Sequence, residues 1–222
     1  LGGECDAIIH SGAEVNLVKS YAALKAANVN GTHEVLRLAT TNGLALHAGA
    51  KPVYFISTNG VFPASVSEQL EDADVATFGP QLEGGYAQSK WVAEQLVLKA
   101  RQSGLPAAVF RLGNMAPSSM QPRWNPHDFY FLLLKACKIL GATPAFGDGD
   151  QTEGTKNNGP GITCDWWFDF TPVDFAAAAI CQLAVQAPTH GIDKVLHVQN
   201  KQRAVSASTL FDWAREQDAS IR

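Results

Sequence analysis

Val53-Tyr54-Phe55-Ile56-Ser57 is a nearly continuous apolar run of β-branched and aromatic residues, the pattern of a strand buried on both faces. A helical stretch follows it, from about Gly85 to Gln102, closed by Gly104 and Pro106. A second apolar run comes next, Ala107-Ala108-Val109-Phe110-Arg111. Strand, helix and strand of these lengths make a right-handed βαβ crossover, which sets the two strands parallel in one sheet. Upstream, Ala7-Ile8-Ile9-His10 is another buried strand. A helix is expected from about Gly31 to His47, with Val35, Leu36, Leu38 and Ala39 available to a core. Downstream, a helix is predicted over Asn125–Leu140, stopped by Gly141, and a polar glycine-rich loop over Gly147–Gly161. Thr171-Pro172 is expected to start a helix reaching about Val185. A strand at Val195–Val198 and a last helix through about Glu216, capped by Ser208, complete the pattern. There is no internal repeat. The fold class is α/β, a doubly wound parallel sheet.

The chain has 222 residues, the size of one large domain or two small ones. Its 46% hydrophobic and 17% charged residues suit a soluble, core-forming chain. A net charge of −4 with no basic block argues against nucleic acid or an anionic membrane as main partner. Cys5, Cys137, Cys164 and Cys181 form no C-x-x-C pair or Cys/His ligand set, so no metal site or disulfide framework is expected and reduced intracellular thiols are. His33, His47, His127, His190 and His197 likewise show no ligand spacing and are read as surface or packing residues. The apolar runs near Phe131–Leu134 and Ala176–Val185 fall short of the roughly 18–20 residues of a membrane span. No basic leader is visible, and a cytoplasmic location is expected. The chain opens without methionine, almost directly into a strand, and is read as part of a longer protein that is cut short at its C-terminal end too.

Gly84-Gly85-Tyr86-Ala87-Gln88-Ser89-Lys90 carries the most chemistry. Tyr86 and Lys90 lie four apart on a predicted helix and project from one face. An ammonium beside a phenol is expected to lower the phenol pKa from about 10 towards working pH. A tyrosine so placed can protonate a carbonyl oxygen as hydride reaches the carbon. The same spacing also suits an ordinary surface pair. Thr58 follows the strand Val53–Ser57, and in a parallel sheet the carboxyl ends of strands line the ligand crevice. Thr58 fits either a donor to that carbonyl or a strand-end turn. Asn28 precedes a long helix and also suits a cap. His10 leads into the small-residue turn Ser11-Gly12-Ala13, where a ligand can approach the backbone. Trp166-Trp167 suits a pocket wall or an interior. No G-x-x-x-x-G-K-[ST], H-E-x-x-H or G-x-S-x-G motif is present.

Together these segments resemble the extended short-chain dehydrogenase/reductase superfamily. More narrowly, they resemble the thioester reductase domains that end nonribosomal peptide and polyketide synthetases, aminoadipate reductases and carboxylic acid reductases. The matching stretches are DAIIHSGAEVN (Asp6–Asn16), AANVNGTHEVLRLA (Ala26–Ala39), VYFISTNGVF (Val53–Phe62), GGYAQSKWVAEQLV (Gly84–Val97), VFRLGNM (Val109–Met115), WNPHDFYFLLLKACKILGATP (Trp124–Pro144) and FDFTPVDFAAAAI (Phe168–Ile180). The W-N-x-x-D-F helix ending in L-G-x-x-P favours thioester reductases over sugar epimerases.

The resemblance implies a Rossmann-like sheet lacking its N-terminal strands, with residues 1–123 as cofactor and catalytic region. Residues 124–222 would form a small substrate-binding region interleaved with the sheet, in one domain overall. Thr58, Tyr86 and Lys90 would be the catalytic triad, supported by Asn28. His10, Ser11, Gly12 and Ala13 would lie along the adenosine side of NADPH, and Arg111, Leu112, Gly113 and Asn114 beside the nicotinamide. The implied reaction is reduction of a phosphopantetheine or CoA acyl thioester to an aldehyde or alcohol. Its partners would be an acyl or peptidyl carrier protein, or acyl-CoA, within a multidomain assembly. The family's glycine-rich G-x-x-G-x-x-G turn, which rests the pyrophosphate on a helix N-terminus, is absent from these residues. Two alternatives stand beside this reading. One is a cofactor-free relative serving as a scaffold subunit, and the other is an epimerase, dehydratase or fatty acyl-CoA reductase.

Overall fold

A computed structural model describes residues 5–40, 49–66, 68–121, 123–144, 166–187 and 193–221. The loop expected at 147–161 and Cys164 lie outside the described residues. In chain order the elements are β1 (Ile8–His10), α1 (Tyr21–Lys25), a π-helical turn (Ala26–Asn30), α2 (Gly31–Thr40), β2 (Val53–Thr58), α3 (Gly85–Gln102), β3 (Ala107–Leu112) and β4 (Met115–Ala116). Then follow α4 (Phe129–Leu140), β5 (Trp167–Phe168), β6 (Thr171–Pro172), α5 (Val173–Gln186), β7 (Val195–Val198), β8 (Val205–Ser206) and α6 (Ala207–Gln217). The chain folds as two compact units, Leu1–Gly113 with Ala176–Val198, and Asn114–Phe175 with Gln199–Arg222.

The first unit holds a four-stranded sheet in the order β1-β2-β3-β7. All its pairings are parallel, with Ile9 beside Tyr54, Phe55 beside Val109 and Phe110 beside Leu196. β2 and β3 are buried nearly throughout, as their unbroken apolar runs require. Val53, Phe55, Ala107 and Val109 point to one face, where Ala39 of α2 and Ala93 and Val97 of α3 close a core. On the other face Tyr54 and Phe110 pack together, and the Tyr54 hydroxyl donates to the Ala184 carbonyl of α5. The sheet is thus covered on both sides, as the doubly wound reading expects.

Two glycines fix where α3 begins. Gly84 sits at φ +78°, in the left-handed region where a side chain is strained. A Cβ on Gly85 would meet the backbone of Ser20 and Tyr21 at 2.3 Å, so this helix end presses directly on the start of α1. Gly85→Ala is expected to cost about 1–3 kcal/mol of stability, because the obstruction is backbone. Denaturant unfolding checks it, and a midpoint equal to wild type would contradict the packing.

The second unit is built on an aromatic cluster. Cys137, Phe168, Ala207 and Phe211 are buried, with Tyr130, Trp166 and Phe170 packed against them. Trp166 is partly buried against this cluster, whereas Trp167 is 67% exposed. Three helix starts differ from expectation. α4 begins at Phe129 rather than Asn125, because the Asp128 carboxylate accepts from the Tyr130 and Phe131 N–H groups. Thr171-Pro172 pairs with Met115-Ala116 as strand, so α5 starts at Val173. α6 is capped by Ser206, which accepts from Thr209 N–H, and not by Ser208. α1, the π turn and the 3-10 segment Val75–Gln81 lacked any periodicity to announce them. No helix among the described residues is long and apolar enough to cross a membrane, and they hold no cluster of three or more metal-ligand side chains.

Candidate active site

The carboxyl end of β2 and the first turns of α3 adjoin. Lys90, one turn beyond Tyr86, is 3% exposed, and its Nζ donates to the Ile56 carbonyl at 2.7 Å. The ammonium also lies 4.2 Å from the Phe55 ring centroid. Ile56 is two residues before Thr58, whose hydroxyl accepts from Gly60 N–H at 3.1 Å and holds the turn at Asn59–Val61. Thr58 and Tyr86 are both half-buried. A cleft of about 280 Å³ is walled by Gly60, Phe62 and Pro63, which follow Thr58 in the chain, and by Leu82, Glu83 and Ala87, which lie either side of Tyr86 in the chain.

The electrostatics differ from the expectation of an acidified phenol. Burial pushes Tyr86 up to about 12, and the Lys90 ammonium is directed to the Ile56 carbonyl. Tyr86 therefore stays protonated at neutral pH, which suits a proton donor. Burial lowers Lys90 to about 8, against the opposing pull of the Glu94 carboxylate. Folding disfavours that ammonium, so unfolding takes up a proton between about pH 8 and the ordinary value of 10.5. Stability should rise with pH across that window, and the full penalty applies below it. Denaturant midpoints measured from pH 7 to 10 should climb less in Lys90→Met than in the wild type. Equal slopes would contradict the burial of this charge.

Asn28 serves as a brace. It is 1% exposed and sits in the π turn, where Gly31 N–H reaches back five residues to the Ala26 carbonyl. Its Oδ1 accepts from Glu14 N–H at 2.7 Å, and its Nδ2 donates to the Glu14 carbonyl and to Ser89 Oγ. Ser89 Oγ donates in turn to the Tyr86 carbonyl at 2.9 Å. Asn28 thus ties the turn after β1 to the helical turn that carries Tyr86. Thr32 Oγ1 donates to the Asn28 carbonyl at 2.7 Å, so its contact with His10 Nε2 at 2.9 Å makes that nitrogen the donor. Burial, with Lys90 adding to it, lowers the His10 pKa and keeps the ring neutral. Ser11 and Gly12 are exposed, and a Cβ on Gly12 would meet the His10 ring at 3.6 Å.

The Arg111 side chain is paired with Glu94. It is 1% exposed, and Nε and Nη2 donate to Glu94 Oε1 at 3.1 and 2.7 Å. Nη1 donates to the Leu70 carbonyl at 3.3 Å, and the guanidinium lies 4.9 Å from the Phe62 ring centroid. Leu112 ends the strand and Gly113 follows it, both half-buried, and Gly113 N–H donates to the Val198 carbonyl. Asn114 opens the second unit, where Asp169 accepts from its backbone and its amide and Tyr130 donates to its Oδ1. Sequence reasoning missed Glu94, Ser57 and Ser89. The available signal was the stripe Gly85, Ser89, Lys90, Ala93, Glu94 and Val97, which puts two charges on the buried face of α3.

Residues 1–180 match the model of the NAD-binding family described as Male sterility protein. The chain belongs to that family. Within it, the chain is similar to the glycine betaine reductase of Emericella nidulans, 40% identical over 84% of this chain. It is also 35% identical over 83% of its length to the carboxylic acid reductase of Segniliparus rugosus. Among solved structures it resembles the terminal R domain of the myxalamid PKS-NRPS biosynthetic pathway, with 35% identity, 97% of this chain covered and a TM-score of 0.78. The chain spans 13% and 15% of those two relatives and 48% of that solved chain. The relatives are reductases by name, and the resemblance is to an oxidoreductase that takes a nicotinamide cofactor.

Proposed function

We propose that this chain carries the catalytic face of an NADPH-dependent reductase of acyl thioesters, held on the phosphopantetheine of a carrier protein or on CoA. The observation that carries the reading is the buried Lys90, whose Nζ fastens the helix that bears Tyr86 to the strand end that leads into Thr58, next to a cleft walled by Gly60 and Ala87. The names of the relatives support a carboxylic acid derivative as substrate, and the R domain of a synthetase supports a carrier as partner.

The residues present fit a nicotinamide dinucleotide on two counts. Ser11 and Gly12 form an exposed turn of small residues at the carboxyl end of β1, and Lys90 supplies a buried donor at the neighbouring strand end. His10, Ser11, Gly12 and Ala13 would hold the adenosine side, Lys90 the nicotinamide ribose, and the backbone of Leu112 and Gly113 would flank the ring. A bound reduced nicotinamide supplies the hydride. Tyr86 and Thr58 donate to the thioester carbonyl oxygen, and the Tyr86 proton passes to that oxygen as the carbonyl carbon is reduced. The hemithioacetal then breaks its C–S bond, leaving an aldehyde and a free thiol. A second reduction of the aldehyde would give an alcohol.

Nicotinamide fluorescence titrated against the longest natural polypeptide that contains this chain tests the first requirement. Saturable NADPH binding, followed by turnover of an acyl-pantetheine thioester, is expected. No binding would remove the reductase reading.

A further inference from the structure

We infer that Glu94 is the positioning residue of this site: its carboxylate locks the strand end that presents Thr58 onto the helix that presents Tyr86 and Lys90, and its charge steadies the Lys90 ammonium. The inference rests on the reading of Thr58, Tyr86 and Lys90 as the reacting groups. Glu94 lies one helical turn beyond Lys90 and two beyond Tyr86, on the buried face of α3, and is fully buried. Its Oε2 accepts from Ser57 Oγ at 2.5 Å, while Oε1 takes the two hydrogen bonds from Arg111 of β3. Lys90 holds the Ile56 carbonyl. Consecutive residues of β2, Ile56 and Ser57, are therefore each fastened to α3 by side chains one turn apart, and the next residue is Thr58. A displacement of about 1 Å between reacting groups can lower a rate some hundredfold, so this double fastening bears directly on whether Thr58 and Tyr86 meet one oxygen.

Stability alone does not call for a carboxylate here. A buried ion pair is often matched by apolar residues of similar volume. The charge has a second use, because Lys90 faces few groups that favour its ammonium. His10 on β1 opposes it when protonated, Tyr86 on α3 is neutral, and Arg111 on β3 is cationic. Glu94 is the carboxylate that favours the charged form of Lys90 against burial.

The test is carbon-13 NMR of lysine side chains across pH, with the Lys90 signal assigned by its loss in Lys90→Met. In Glu94→Gln, Lys90 should lose its proton roughly one pH unit lower than in wild type, a tenfold change. Where thioester reduction is measured, the alkaline limb of kcat/KM should move down by the same amount and kcat should fall about a hundredfold. Glu94→Asp should restore the limb while leaving kcat low, since the charge returns and the reach to Ser57 does not. A purely structural Glu94 would lower stability in both variants and leave the Lys90 titration where it was. That result in folded Glu94→Gln overturns the inference. If Arg111, left without its partner, prevents folding, Glu94→Gln with Arg111→Met removes both charges and takes the same measurement, with a smaller downward shift expected because an opposing cation leaves with the carboxylate. A wild type without reductase activity would overturn the proposed function, while the Lys90 titration would still decide the role of Glu94.

Discussion

Tyr86→Phe is expected to lower thioester reduction by about 10²–10³-fold while the protein keeps its fold. The substitution removes one hydroxyl and little volume from a half-buried ring. It takes away the phenol proposed to give a proton to the oxygen as charge develops there. Because burial holds the phenol near 12, the wild-type rate should show no dependence on phenol ionisation below about pH 9. Single-turnover oxidation of the nicotinamide with a carrier-bound acyl thioester reads the effect, and thermal unfolding confirms the fold. A variant that turns over at the wild-type rate would remove Tyr86 from the mechanism.

Arg111→Met is expected to cost about 3–5 kcal/mol, because it leaves the Glu94 carboxylate buried without its cation. Ser57 would remain as a hydrogen-bond donor to that carboxylate, but a single hydroxyl cannot replace a bidentate guanidinium. Combining Arg111→Met with Glu94→Gln should return much of that loss, since no charge is then orphaned. Denaturant unfolding of the two single variants and the double variant measures the coupling directly. If Arg111 served chiefly to bind cofactor, Arg111→Met would keep wild-type stability and lose nicotinamide affinity instead.

The sheet was legible because β2 and β3 are continuous apolar runs, and only a strand buried on both faces carries such a run in so few residues. α3 matched its expected limits, Gly85 to Gln102, because glycines at positive φ bracket it, Gly84 before and Gly104 after. Where side-chain capping or long-range pairing decided an end, the local pattern misled. Asn125 offered an earlier start for α4 until Asp128 took the cap, and Pro172 looked like a first helical residue until Met115 and Ala116 drew it into a strand pair.

Tyr86, Lys90 and Thr58 were visible as a candidate site because spacing on one helix and position at a strand end are both local properties. The Arg111–Glu94 pair was not, since the residues lie on different elements and each alone passes for a surface charge. The direction of the Tyr86 pKa was also hidden. It follows from the burial of the phenol, which tertiary packing decides and the local spacing does not show.

The most direct measurement mixes NADPH and an acyl-phosphopantetheinyl carrier with the natural polypeptide that contains this chain, following nicotinamide absorbance and free thiol together. One thiol should be released for each nicotinamide first oxidised, with both signals lost in Tyr86→Phe and sharply reduced in Thr58→Val. Nicotinamide oxidation without thiol release, or wild-type rates in both variants, would contradict the proposed reaction.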